Sequence, residues 1–129
     1  MARSGLILVV DDEHDVRNVG AALLRRLGFQ AITASDGEEG LALFGQHAGK
    51  ILCVLLDLTM PRMDGVSTFR QMRHLWPDAK VILCSGYSEK EATERFTGEG
   101  LDGFLQKPYR LQELKERLES ILRLPGPQA

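Results

Sequence analysis

The sequence predicts a doubly wound α/β domain built on one parallel sheet. Short apolar runs rich in β-branched residues alternate with helix-period segments along the whole chain. The runs are apolar throughout, as strands covered on both faces are. With 129 residues, 43% hydrophobic and 26% charged, the chain has the length and balance of a single globular domain.

The first strand is Leu6-Ile7-Leu8-Val9-Val10. Val16, Val19, Leu23, Leu24 and Leu27 then recur at the spacing of one buried helical face. Gly28 ends that helix, because it takes the left-handed backbone of a helix C-terminus without penalty. Gln30 to Ala34 predicts a second strand, and Asp36 to Gln46 a second helix with Leu41 and Phe44 inward. Ile51 to Leu56 is the third strand, the most apolar and so central. Met60-Pro61 and Asp64-Gly65 mark a loop and then a helix start. The third helix carries Val66, Phe69, Met72 and Leu75 on its inner face and stops before Pro77. Val81 to Cys84 is the fourth strand, and Ser88 with Glu91 forms a capping box for a fourth helix over Glu89 to Thr97. Its apolar anchors are mainly Ala92 and Phe96, which suits an element that shifts between states. Leu101 to Leu105 is the fifth strand, followed by a helix striped with Leu111, Leu114, Leu118, Ile121 and Leu122.

Parallel strands need crossover connections, and right-handed crossovers leave few topologies. The flavodoxin-like (βα)5 order 2-1-3-4-5 is the one expected at this length. Residues 1–124 are expected to form this domain, and residues 125–129, opening with Pro125-Gly126-Pro127, a flexible tail.

Sixteen basic residues against eighteen acidic ones give a net charge of −2, which argues against a dedicated nucleic-acid surface. Cys53 and Cys84 fall inside apolar runs without a C-x-x-C pattern, so they read as core. No apolar run is long enough to span a bilayer, and Asp11 and Asp12 interrupt the first one. A cytoplasmic, reducing setting without direct membrane contact is therefore expected.

The chemistry lies where the strands end. Asp11 and Asp12 follow the first strand, Asp57 the third and Ser85 the fourth, with Lys107 near the end of the fifth. Open α/β sheets bind ligands outside the carboxyl ends of their strands, and the predicted order makes these four strands contiguous. Capping a helix that starts near Asp15 explains one acidic residue, but neither a second nor Asp57. Three neighbouring carboxylates repel one another, and one divalent cation with Lys107 balances them. Hard oxygen ligands that leave room for water suit Mg²⁺.

Val9-Val10-Asp11-Asp12-Glu13, Leu56-Asp57-Leu58-Thr59-Met60-Pro61 with Asp64-Gly65, and Lys107-Pro108 together resemble the receiver domains of response regulators, over residues 5 to 123. The resemblance implies that Asp57 is the phosphoacceptor of a two-component system. It implies Mg²⁺ held by Asp11, Asp12, Asp57 and the Thr59 backbone carbonyl. Ser85 matches the hydroxyl that binds a phosphoryl oxygen, and Lys107 the lysine that pairs with acceptor and phosphate. Lys107-Pro108 looks like the family's cis peptide, and Phe104 occupies the switch-aromatic position. Thr59 and Tyr87 match positions that tune acyl-phosphate lifetime; neither is acidic or amide-bearing, so an intermediate to long lifetime is expected.

On this reading Asp57 takes a phosphoryl group from a histidine kinase or histidine phosphotransfer domain. Ser85 and Phe104 then carry the change to the face formed by the fourth helix, fifth strand and fifth helix, with phosphorylation-dependent homodimerisation as one outcome. His14, His47 and His74 lack the sequence context of kinase phosphohistidines, so the chain is an acceptor and not a donor. As an isolated domain it is not expected to be an enzyme. The stretches Cys84 to Glu89 and Gly103 to Tyr109 are most similar to receivers of hybrid sensor histidine kinases, whose parent protein is itself a kinase. The alternatives are a stand-alone single-domain regulator, a receiver-like module that no longer switches, and a small Mg²⁺-dependent phosphohydrolase.

Overall fold

The computed structural model describes residues 5–58, 64–94 and 101–122. Its elements alternate as β1 (Leu6–Val10), α1 (His14–Arg26), β2 (Gln30–Ala34), α2 (Gly37–Gln46), β3 (Ile51–Asp57), α3 (Gly65–Leu75), β4 (Val81–Ser85), α4 (Glu89–Glu94), β5 (Gly103–Gln106) and α5 (Leu111–Leu122). The strands form one parallel sheet in the order β2-β1-β3-β4-β5, as expected.

Alternation along the strands divides the core into two layers. Leu8, Val10, Val54, Leu56 and Leu83 point to one face, where Phe44, Phe69, Met72 and Ala92 from α2, α3 and α4 cover them. Ile7, Val9, Cys53, Leu55, Ile82 and Cys84 point to the other, beneath Leu24 of α1 and Leu114 and Leu118 of α5. Both cysteines are buried and unbridged. Burial pushes the Cys53 thiol up to about 12 and the Cys84 thiol higher still, which suits inert packing groups.

The helix signals hold in detail. Gly28 has a φ of 96° just past α1. The Asp36 side chain accepts the Glu39 N–H and that of Asp64 the Ser67 N–H, capping α2 and α3. Ser88 and Glu91 form the predicted capping box, with Ser88 Oγ accepting the Glu91 N–H at 3.2 Å.

The inward faces needed correction in two places. Val19 and Leu75 are each 57% exposed, although both were expected inside. On α1 the buried residues are Gly20, Ala21 and Leu24, and the first two are small enough to let the helix lie close to the sheet. On α3 the last turn runs past the covered surface, and Trp76 beyond it packs on Phe44 with ring centroids 4.6 Å apart. Strand β5 begins at Gly103 and not at Leu101. There the Asp102 carboxylate accepts the Val81 N–H at 2.8 Å, so a side chain takes the place of a ladder carbonyl. Phe96 and Thr97, expected in α4, and the tail at 125–129 lie outside the described residues.

Candidate functional site

Register brings the strand ends together. Val10 pairs with Leu56, so Asp11 and Asp57 leave the sheet side by side. Asp57 pairs with Cys84, and Ser85 with Gln106, which places Lys107 next in line. The ladder continues past the strands, with Leu58 N–H donating to the Cys84 carbonyl at 3.0 Å and Lys107 N–H to the Ser85 carbonyl at 2.7 Å.

The loop after β1 turns back on itself. Asp11 Oδ1 accepts the Glu13 N–H at 2.9 Å, and Arg17 of α1 donates to the Asp11 carbonyl at 2.8 Å. Helix α1 therefore starts at His14, with Glu13 at its cap position but no side-chain cap bond. Asp11 is buried and Asp12 exposed. Gly65, the first residue of α3, donates its N–H to the Leu58 carbonyl at 2.7 Å. A Cβ there would overlap the carbonyl of Asp57, so only glycine lets α3 approach the acidic strand end this closely.

Carboxylate oxygens of Asp11, Asp12 and Asp57 all lie within 4.8 Å of one another. Lys107 Nζ sits against two of them, 2.8 Å from Asp11 Oδ2 and 2.9 Å from Asp57 Oδ1. Burial pushes the Asp57 carboxyl up to about 6, although the Lys107 bond pulls it down; repulsion from Asp11 and Asp12 adds to the rise. Burial also disfavours the Lys107 ammonium, but the bonds to Asp11 and Asp57 outweigh that and hold its pKa above the ordinary lysine value. Three carboxylates facing one ammonium leave a formal charge of −2, and an all-oxygen donor set of this kind fits a divalent cation such as Mg²⁺.

The other expected residues are placed as follows. Ser85 is buried at the end of β4, and its hydroxyl accepts the Tyr87 N–H at 3.0 Å. Phe104 is buried in the layer that also holds Ala92 of α4. Its carbonyl accepts from Arg117 of α5 at 3.1 Å. The Lys107–Pro108 peptide is cis. Tyr87 is 45% exposed, and Thr59 lies outside the described residues. Above Asp57 a cavity of about 810 Å³ opens between Val16 and Val19 of α1 and the loops holding Gly86, Tyr87 and Lys107 to Tyr109. Sequence reasoning gave Tyr109 and Arg17 no role; a glycine inside the predicted first helix was the available signal for the first.

The response regulator receiver domain model matches residues 7–119. The chain belongs to that family. Receivers serve two-component signalling as phosphoacceptors, and they generally use Mg²⁺ at an acidic site. This receiver is 33% identical over 122 residues to the sensor kinase CckA of Brucella abortus, covering 95% of the chain and 13% of that protein. It is 35% identical over 119 residues to the probable transcriptional regulator ycf27 of Porphyridium aerugineum, covering 91% of the chain and 48% of the relative. The receiver thus spans half or less of these curated relatives. Among solved structures, a response regulator receiver domain protein from Clostridium thermocellum superimposes with a TM-score of 0.85 at 28% identity, covering 92% of this chain and 94% of that one. A chain of the CheX-CheY-BeF3-Mg complex from Borrelia burgdorferi gives 0.85 at 29% identity, covering 91% and 88%. Among the described residues no helix is long and apolar enough to cross a membrane.

Proposed function

We propose that this receiver accepts a phosphoryl group on Asp57 from the phosphohistidine of a histidine kinase or phosphotransfer domain. The observation that carries this is Lys107 bridging Asp11 and Asp57 beside Asp12 at the floor of an open cavity. An ion pair serving stability alone has no need of two further carboxylates.

Asp57 Oδ attacks phosphorus in line, the P–N bond breaks, and its electron pair passes to the donor imidazole. Lys107 exchanges part of its pairing with Asp57 for the incoming phosphoryl oxygens. Asp11, Asp12, Asp57 and the Thr59 carbonyl are the proposed Mg²⁺ ligands, and the bound ion would supply positive charge to the transferring group. The Mg²⁺ of the CheX-CheY-BeF3 complex from Borrelia supports this assignment. The acyl phosphate brings about −2 of charge. Ser85 then leaves the Tyr87 N–H for a phosphoryl oxygen, and Phe104 moves into the freed space. That motion alters the α4-β5-α5 face, the proposed surface for an output partner or a second copy. Thr59 and Tyr87 are the proposed lifetime-tuning positions.

The test is acyl-phosphate labelling with Mg²⁺ and a phosphorylated histidine donor. The native chain is expected to label and Asp57→Asn not to; equal labelling would place the acceptor elsewhere. The likeness to CckA favours a parent that is a hybrid sensor kinase. The alternative is a stand-alone regulator, and the coding region upstream of residue 1 distinguishes the two. The family match gives no support to a phosphohydrolase.

A further inference from the structure

We propose that Tyr109 is a positioning residue: wedged on Gly20 of α1, it sets where Lys107 stands relative to Asp11 and Asp57. The claim rests on the phosphoacceptor reading above and assigns that site a part of its wall.

Helix α1 is the reference for both charges. Its first turns hold the acidic loop, through Arg17 on the Asp11 carbonyl and Asp11 Oδ1 on the Glu13 N–H. The cationic loop meets the same helix farther along. Tyr109, two residues beyond Lys107, packs with the layer containing Val9 and Leu24. A Cβ on Gly20 would stand 2.7 Å from the Tyr109 hydroxyl oxygen, 4.0 Å from its ring carbon Cζ and 3.6 Å from Val9 Cγ1. Gly20 is thus a notch between strand β1 and the phenol. Glycine inside a helix is disfavoured relative to alanine, and here the missing methyl is matched by one atom, the hydroxyl. With the notch filled, Tyr109 must swing toward the cavity it lines and draw the Lys107 loop with it.

The displacement has two consequences of opposite sign. A misplaced Lys107 is a poorer partner for the transferring group, so phosphorylation slows. The same ammonium competes with a divalent cation for the Asp11 and Asp57 carboxylates, so its withdrawal tightens Mg²⁺ binding. General loosening of the fold would weaken both.

The experiment compares the full chain with G20A, Y109F and G20A/Y109F. One arm follows acyl-phosphate formation from phosphoramidate with Mg²⁺; the other titrates Mg²⁺ alone by NMR. In the Tyr109 background, G20A is expected to slow phosphorylation about fivefold or more and to tighten Mg²⁺ about twofold. In the Y109F background, where the clashing oxygen is gone, both effects should shrink below about twofold. Equal effects of G20A in the two backgrounds, no effect in either, or slower labelling with weaker Mg²⁺ would each overturn the proposal. A native chain that takes no phosphoryl group on Asp57 would sink the phosphoacceptor reading, while the Mg²⁺ arm would still decide the Gly20–Tyr109 contact.

Discussion

Two clusters of partly or fully buried charge sit at opposite ends of the same sheet, and they are balanced differently. At the amino end, Arg73 of α3 meets Asp102 at 2.9 Å, and the same Asp102 oxygen accepts the Val81 N–H at 2.8 Å. The guanidinium also lies 4.8 Å from the Phe69 ring centroid. Among the described residues one carboxylate meets this guanidinium, and the pair ties α3 to the starts of β4 and β5. At the carboxyl end, three carboxylates gather and the Lys107 ammonium pairs with two of them. Charge that only holds elements together closes on itself, whereas charge left open is balanced from outside the chain. The amino-end cluster is a brace and the carboxyl-end cluster a receptor.

The comparison is sharpest at Lys107. Lys107→Ala is expected to slow phosphorylation of Asp57 by roughly 10²- to 10³-fold, the cost of deleting one charged donor from a reacting site. Single-turnover labelling with a small phosphodonor measures this without a kinase interface. A rate within a few-fold of the native chain would show that the ammonium merely fills space.

The open cluster should also cost stability when no metal is present. Asp57 has a folded pKa of about 6 against an ordinary value of 3.8. A raised carboxyl pKa means the folded state binds the proton more tightly than the unfolded one. Stability from this group is therefore full below about pH 4 and is lost as pH rises through about 6. Asp57→Asn mimics the protonated form at every pH. In EDTA it is expected to match the native chain near pH 4 and to exceed it by up to about 3 kcal/mol above pH 7. Denaturant midpoints across that range decide the point; a constant difference would mean that burial does not strain this carboxylate.

The two clusters were not equally legible in the sequence. Asp11, Asp12, Asp57, Ser85 and Lys107 each follow an apolar run, so strand order alone sufficed to gather them. The brace left no such trace, because Arg73 and Asp102 lie 29 residues apart and belong to no pattern. Periodicity marked the right helices but not the centre of each buried face. Val19 was expected inside because it is large and apolar, whereas contact with the sheet is made by Gly20 and Ala21. Helical spacing is a local property, but the line of closest approach depends on what the helix meets, here Val9 and Tyr109. The same reason hid the notch at Gly20.

The smallest expected effect separates brace from receptor most cleanly. Asp102→Ala removes a carboxylate partner of a partly buried guanidinium and the acceptor of the Val81 N–H together. Breaking such a pair from one side weakens what balances the other charge and strands the Val81 N–H, which at a partly buried position is expected to cost about 2 kcal/mol of stability. Asp102→Asn keeps an oxygen for Val81 and should recover about half of that. The loss should be nearly flat as pH crosses the Asp57 value of about 6, because that carboxylate lies at the other end of the sheet. Phosphorylation should change by less than about threefold, because Ser85 and Lys107 lie at the far ends of the strands that Asp102 anchors. Denaturant unfolding and acyl-phosphate labelling on one preparation give both numbers. If the Asp102 variants lost labelling as steeply as Lys107→Ala, the amino-end pair would be coupled to the acceptor through β4 and β5, and the division between brace and receptor would fail.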